Sequence, residues 1–354
     1  MDDRTRRTAR LPALLLVTLL SGLAAVSAQA APARLAVVGD SDSHAYHDRM
    51  HFSGDDGKRG GDFHATTWQW TEALHRLRGQ ALDLGAWDRH GLPGTLGRAA
   101  EWAGLPVRPA KEDFEYNFAM SGARCESLMG GERQVPGLID LMDQAPGRWR
   151  GGYVVVRIGV NSFGQAEHLQ RLAADRDDAE VSAGIQGCVA AVREAVAAIH
   201  RSHPATRIVL VGIFDNSNVA GQLETAWTPR QLANIAAALD RYDDALRAMA
   251  QADRRIAFFD DRAWFAAHWG TRTASGQPAY RDVRIGKALR VRNAQGDAPT
   301  NAVLADGHAG AAWNLLWAQA LVALLDREFD AGIAPVSESE LAALIGRRAS
   351  PAED

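Results

Sequence analysis

The stretch 34-RLAVVGDSDSHAYHDR-49 passes from five mostly apolar residues directly into Gly39-Asp40-Ser41. A short apolar run without polar alternation fits a strand covered on both faces, as in a parallel sheet flanked by helices. The glycine, the acids, the serines and the histidines that follow then sit at the strand's carboxyl end, where open α/β sheets place their ligands. Further along, 153–158, 207–214, 255–260 and 116–120 repeat the short apolar pattern. Helical periods run over 66–77, 181–200, 229–252 and 309–328, the third opening on Thr228-Pro229, a cap followed by proline at the first helical position. Strands alternating with helices predict an α/β domain with a five-stranded, mainly parallel sheet.

The chain has 354 residues, 47% hydrophobic and 23% charged, with a net charge of -4. That is an ordinary globular composition, long enough for a large core, and it carries no broad basic surface for nucleic acid. Residues 1–30 differ from the rest. Arg4, Arg6, Arg7 and Arg10 precede the apolar run 11-LPALLLVTLLSGLAAV-26, and Ala28-Gln29-Ala30 supplies a small-x-small cleavage pattern. The run is shorter than the roughly 20 residues that span a bilayer. Together these predict a signal peptide, export to the periplasm or the medium, and no stable membrane insertion after cleavage. The expected layout is the leader, one domain over 31–335 with insertions near 51–64, 80–112 and 271–300, and a tail over 336–354. Within the last insertion, 280-YRDVRIGKALRVRN-293 predicts a small hairpin around Gly286-Lys287. Cys125 and Cys188 either pair in an oxidising compartment or lie apart as small buried residues, and spacing does not decide between these.

A serine is a weak nucleophile until a base takes its proton and donors stabilise the oxyanion, so Ser41 needs partners elsewhere. Three further segments offer them: 117-NFAMSGA-123, 159-GVNS-162 and 304-LADGHAGAAWN-314. With Gly39-Asp40-Ser41-Asp42-Ser43 as the first block, these four in this order resemble the SGNH, or GDSL, hydrolases. The resemblance runs from about Arg34 to Phe329 and implies a three-layer α/β/α, flavodoxin-like fold and a serine esterase of carboxylic esters. It implies Ser41 as nucleophile, His308 as base and an oxyanion hole of the Ser41 N–H, the Gly122 N–H and the Asn161 side chain, with no metal and no organic cofactor. Two departures stand out. The family's usual acid lies three residues before the histidine, where this chain has Ala305, which leaves Asp306 as the candidate acid. The third block ends in Ser162 in place of aspartate.

The substrate implied is a small-molecule or carbohydrate ester. The insertions are polar and carry Trp68, Trp70, Trp87 and Trp102 nearby, which favours a carbohydrate-linked acyl or O-acetyl group over a lipid, although such aromatics are more often core or interface residues than sugar platforms. The alternative is a catalytically impaired protein of the same fold that binds carbohydrate or envelope ligands, its displaced acid having disabled the triad. His44, His47 and Asp48 have a spacing that metals use, but zinc wants a third firm ligand and none is nominated. A nucleotide-binding fold is disfavoured, because the first strand is not followed by Gly-x-Gly-x-x-Gly and no phosphate-binding Gly-x-x-x-x-Gly-Lys-Ser/Thr loop occurs.

Overall fold

The computed structural model describes residues 31–52, 67–92, 99, 103, 110–287 and 289–345. The leader, Trp102, most of the 51–64 segment and the chain end beyond 345 lie outside the described residues. Five strands form the central sheet: β1 (Ala33–Gly39), β2 (Leu82–Asp83), β3 (Tyr153–Arg157), β4 (Arg207–Val211) and β5 (Ile256–Phe259). All neighbours are parallel and the order is β2-β1-β3-β4-β5, the flavodoxin-like arrangement. Strand β3, YVVVR, is buried at every position, which is why its sequence shows no alternation.

Alternate residues of each strand feed two cores. Leu35, Val37, Val155, Val209 and Phe259 pack with helices α1 (Trp70–Arg78) and α5 (Ala311–Phe329). Ala36, Val38, Val154, Val156 and Leu210 face α2 (Gln134–Asp143), α3 (Ala179–Ser202) and α4 (Pro229–Ala252) on the other side. The result is the three-layer α/β/α fold. Helix α4 opens as its sequence foretells: the Thr228 hydroxyl accepts from the Gln231 N–H, and the Gln231 side chain accepts from the Thr228 N–H.

One expected strand is corrected. Residues 116–120 do not form a strand, and the fifth place in the sheet belongs to the two-residue β2. Tyr116–Met120 still runs along the edge of β1. The Val37 N–H donates to the Tyr116 carbonyl, and the Phe118 and Met120 N–H groups donate to Val37 and Gly39. Regular pairing stops because the Asn117 side chain takes over, donating to the Ser43 carbonyl and accepting from the Ala119 N–H. Residues 283–285 and 289–295 pair antiparallel, the hairpin foreseen around Gly286. Cys125 and Cys188 form a disulfide with Cα atoms 5.0 Å apart, which joins the 121–128 segment to α3.

Candidate active site

Strand β1 ends against β3 so closely that a Cβ on Gly39 would stand 2.1 Å from the Arg157 carbonyl oxygen, and only glycine fits. The Gln134 side chain closes a ring on this residue, accepting from the Gly39 N–H at 2.8 Å and donating to its carbonyl at 2.9 Å. The chain then turns. The Ser43 and His44 N–H groups donate to the Asp40 carbonyl, and the Asp42 N–H donates to Asp40 Oδ1. Remote side chains pin the turn from outside: Gln69 Nε2 donates to the Ser41 and His44 carbonyls, and both Arg157 Nη1 and Trp70 Nε1 donate to the Asp42 carbonyl. Ser41 is left 7% exposed. Asp40 is fully buried; desolvation first, and the neighbouring Asp42 second, push its carboxyl up to about 8.

The Ser41 turn opens on a cleft of about 400 Å³ at the carboxyl ends of β1 and β3, the switch point of the sheet. Asn161, Asp306 and His308 line the same cleft, together with Val160, Phe214, Val219 and Trp313. Asn161 sits in the wide helical turn Val160–Gly164 that follows β3. Its Nδ2 donates to the Ala123 carbonyl and its Oδ1 accepts from Gln165 Nε2, which leaves one amide N–H over. The neighbouring Ser162 hydroxyl accepts from the Cys125 N–H. Gly122 has a positive φ of 84°, and no atom stands within 4 Å of where a Cβ would lie. It is not among the residues that line the cleft.

His308 belongs to a tight loop before α5, in which the Gly307 N–H donates to the Leu304 carbonyl and the Leu304 N–H donates to the His308 carbonyl. Asp306 reaches the histidine across this local turn. Its Oδ1 accepts from the His308 N–H at 3.0 Å, and its Oδ2 lies 3.1 Å from Nδ1 but out of line for a hydrogen bond. No hydrogen bond joins Ser41 Oγ to His308 among the described residues, a gap common in unliganded sites that tighten on substrate.

A family model, the GDSL-like lipase/acylhydrolase family, matches residues 83–279, more than half of the chain. The chain belongs to the GDSL-like lipase/acylhydrolase family. It is an ester-hydrolysing enzyme. The GDSL-like match contains Gly122 and Asn161, while Ser41 and His308 lie on either side of it. No curated protein matches the sequence. Among solved structures, the chain is similar to an extracellular lipase from Streptomyces rimosus, with 20% identity, a TM-score of 0.35, and 70% of this chain and 86% of that one covered. It is also similar to a variant of an acetyl-xylooligosaccharide esterase from Geobacillus, with 15% identity, a TM-score of 0.40, and coverage of 87% and 97%. A phospholipase A1 from Streptomyces albidoflavus aligns with 15% identity, a TM-score of 0.42, and coverage of 83% and 100%.

Two readings that the sequence left open around this GDSL-like site are decided. Trp68 and Trp70 are fully buried in the core, Trp70 against Trp317, and Trp87 packs edge-on to Phe114; none of the three lines the cleft, which instead receives Trp313. Their apolar bulk is better used under helices than beside water. The His44, His47 and Asp48 grouping also separates. His47 Nδ1 meets Glu72 at 2.6 Å, whereas Asp48 gathers His44 and His51. Sequence reasoning passed over Gln69, Gln134, Tyr46 and Arg157. Arg157 did leave a signal, a lone charge ending an apolar strand; buried beneath the cleft, it pairs with Asp261 at 3.0 Å and lies over the Trp317 ring. Tyr46 ties the two halves of the site, its hydroxyl donating to the Ala309 carbonyl at 2.8 Å.

Proposed function

We propose that this GDSL-like enzyme is an exported serine esterase working through an acyl-enzyme on Ser41. The observation that carries the proposal is the single cleft onto which Ser41, Asn161 and His308 open from three distant parts of the chain. In this mechanism the His308 imidazole takes the Ser41 proton as the hydroxyl oxygen attacks the ester carbonyl. The oxyanion is held by the Ser41 N–H, the Gly122 N–H and the remaining Asn161 amide N–H. Asp306 orients the ring from the same loop. His308 then delivers the proton to the leaving alcohol, and water repeats the sequence to free the acid and restore Ser41.

For the substrate we propose an O-acyl or O-acetyl group on a carbohydrate. The cleft mixes the amides of Asn161, Gln165, Asn216 and Gln222 with the rings of Phe214 and Trp313, a wall suited to hydroxyl-bearing rings. Export is supported by the leader-like residues 1–30 and by the Cys125–Cys188 disulfide, a bond that persists in oxidising compartments. The test is turnover of a short-chain aryl ester and covalent labelling by a fluorophosphonate, each compared with Ser41→Ala. Both signals should vanish in the variant, and Asn161→Ala should lose on the order of a hundredfold in kcat. A folded wild type showing neither signal would leave a protein that only binds its ligand. Faster release from an acetylated oligosaccharide than from a long-chain ester checks the substrate class.

A further inference from the structure

Behind the Gly122 segment lies a second histidine–aspartate pair that the proposed mechanism does not use. His44 is fully buried, and its Nδ1 accepts a hydrogen bond from the Ser121 backbone N–H at 3.1 Å. An amide N–H can only donate, so Nδ1 carries no proton and the ring's hydrogen resides on Nε2. Nε2 in turn faces Asp48 Oδ2 at 2.8 Å. The same oxygen meets His51 Nδ1 at 2.8 Å, while Asp48 Oδ1 accepts from the Met50 and His51 N–H groups. The Asp48 carboxylate is thus fixed from four sides, and Phe52 packs on the His44 ring with centroids 5.0 Å apart.

His44, Asp48 and His51 place three metal-ligating atoms within 4.8 Å of one another. The tautomer argues against a metal there. A histidine ligand normally donates its other ring N–H to an acceptor, whereas His44 accepts at that position and would have to become an anion to bind through Nε2. What the pair holds is a peptide. The Ala123 N–H donates to the Met120 carbonyl, and Gly122 has φ 84° at the second corner of this turn, the pattern of a type II turn. In such a turn the Gly122 N–H takes no part in the closing bond and points away from it. The Ser121 N–H that His44 accepts belongs to the Met120–Ser121 peptide, and a shift of that unit would carry the Gly122 N–H with it. The far side of the segment is anchored by Asn161, Ser162 and the disulfide; the near side is anchored by His44.

We infer that His44, oriented by Asp48, is a positioning residue that fixes the Met120–Ser121 peptide, the first unit of the turn, and through it the place from which the Gly122 N–H is presented to the oxyanion. The inference rests on the proposed role of Gly122 beside a nucleophilic Ser41. It is tested with His44→Asn, whose Oδ1 stands where Nδ1 stood, against His44→Gln, whose carbonyl oxygen reaches the Nε2 position instead. The expected result for His44→Gln is a fall in kcat of about tenfold to a hundredfold with KM little changed, because a misplaced donor is lost in the transition state and not in substrate binding. The rate of fluorophosphonate labelling should fall in step. His44→Asn should restore both to within about threefold of the native enzyme, since it returns the acceptor. The nearly isosteric Asp48→Asn, which weakens the preference for hydrogen on Nε2, should lower kcat several-fold at unchanged KM, and it serves where His44→Gln does not fold. Native kcat in all three variants, with Ser41→Ala inactive, overturns the inference and leaves Ser41 in place. Equal losses in His44→Asn and His44→Gln, with kcat and KM moving together as the melting temperature falls, also overturn it, since they show packing alone. Turnover persisting in Ser41→Ala would instead bring down the assignment on which it rests.

Discussion

The turn that carries Ser41 and the loop that carries His308 face the same cleft but are built in opposite ways. Side chains from far along the chain, Gln69, Gln134, Arg157 and Trp70, hold the Ser41 turn, and little of it meets solvent. The His308 loop is closed by its own backbone, by Asp306 and by the nearby Gln295 and Asp297 side chains on Ala305, its histidine side chain is 23% exposed, and the Tyr46 hydroxyl links it to the other half. The difference suits the proposed chemistry. An attacking oxygen needs a fixed origin, whereas a base that first takes and then gives a proton profits from a small range of positions.

The comparison breaks most visibly if each half is changed in turn. His308→Ala should lower kcat by at least about a thousandfold while the unfolding midpoint stays near native, because the loop is local and partly exposed. Gln134→Leu should act in the opposite sense. It strips the buried Gly39 N–H of its partner and leaves the Gly39 carbonyl to the Met120 N–H alone, so urea unfolding should show a loss of about 1–3 kcal/mol, with activity falling only as the protein unfolds. Asp306→Asn should cost within about tenfold in kcat, since a carboxylate out of line with Nδ1 orients the ring less than an aligned one would.

A further effect is expected in the pH dependence of stability. His44 is held down to about 3, chiefly by burial and then by Lys111, while its unfolded value is 6.5. Its contribution is therefore present above about 6.5 and lost as pH falls through about 3, because the unfolded chain takes up a proton that the native one refuses. Asp40 works the other way. Raised from 3.8 to about 8, it contributes fully at low pH, and that contribution is gone above about 8. The Ser41 turn is thus squeezed from both sides, and Asp40→Asn should flatten the alkaline decline in unfolding free energy between pH 5 and 8.

The fold class was legible because buried parallel strands leave unbroken apolar runs, and 153-YVVVR-157 and 207-RIVLV-211 carry that pattern fully. The segments that meet at the cleft were legible too, each following a strand or preceding a helix. What escaped was held by single long-range bonds. A glutamine that clamps Gly39 from α2 has no period and no motif, and Leu82–Asp83 is too short to show one. Tyr116–Met120 reads as a strand because its apolar residues do line β1; Asn117, an amide within that run, was the sign that side-chain bonds would replace the ladder. The tryptophans stayed undecided for a related reason, since the core and a sugar platform ask for the same flat apolar surface.

The Tyr46 link has a consequence for the order in which the enzyme comes into being. It spans 263 residues, and the Arg157 and Gln134 bonds to the Ser41 turn span 115 and 95. At a ribosome adding about 5–20 residues per second, Ser41 is made roughly 15–50 s before the proposed base His308. Until then no partial chain holds both, so on the proposed assignment any truncation before residue 308 should be inactive however well its first strands pair.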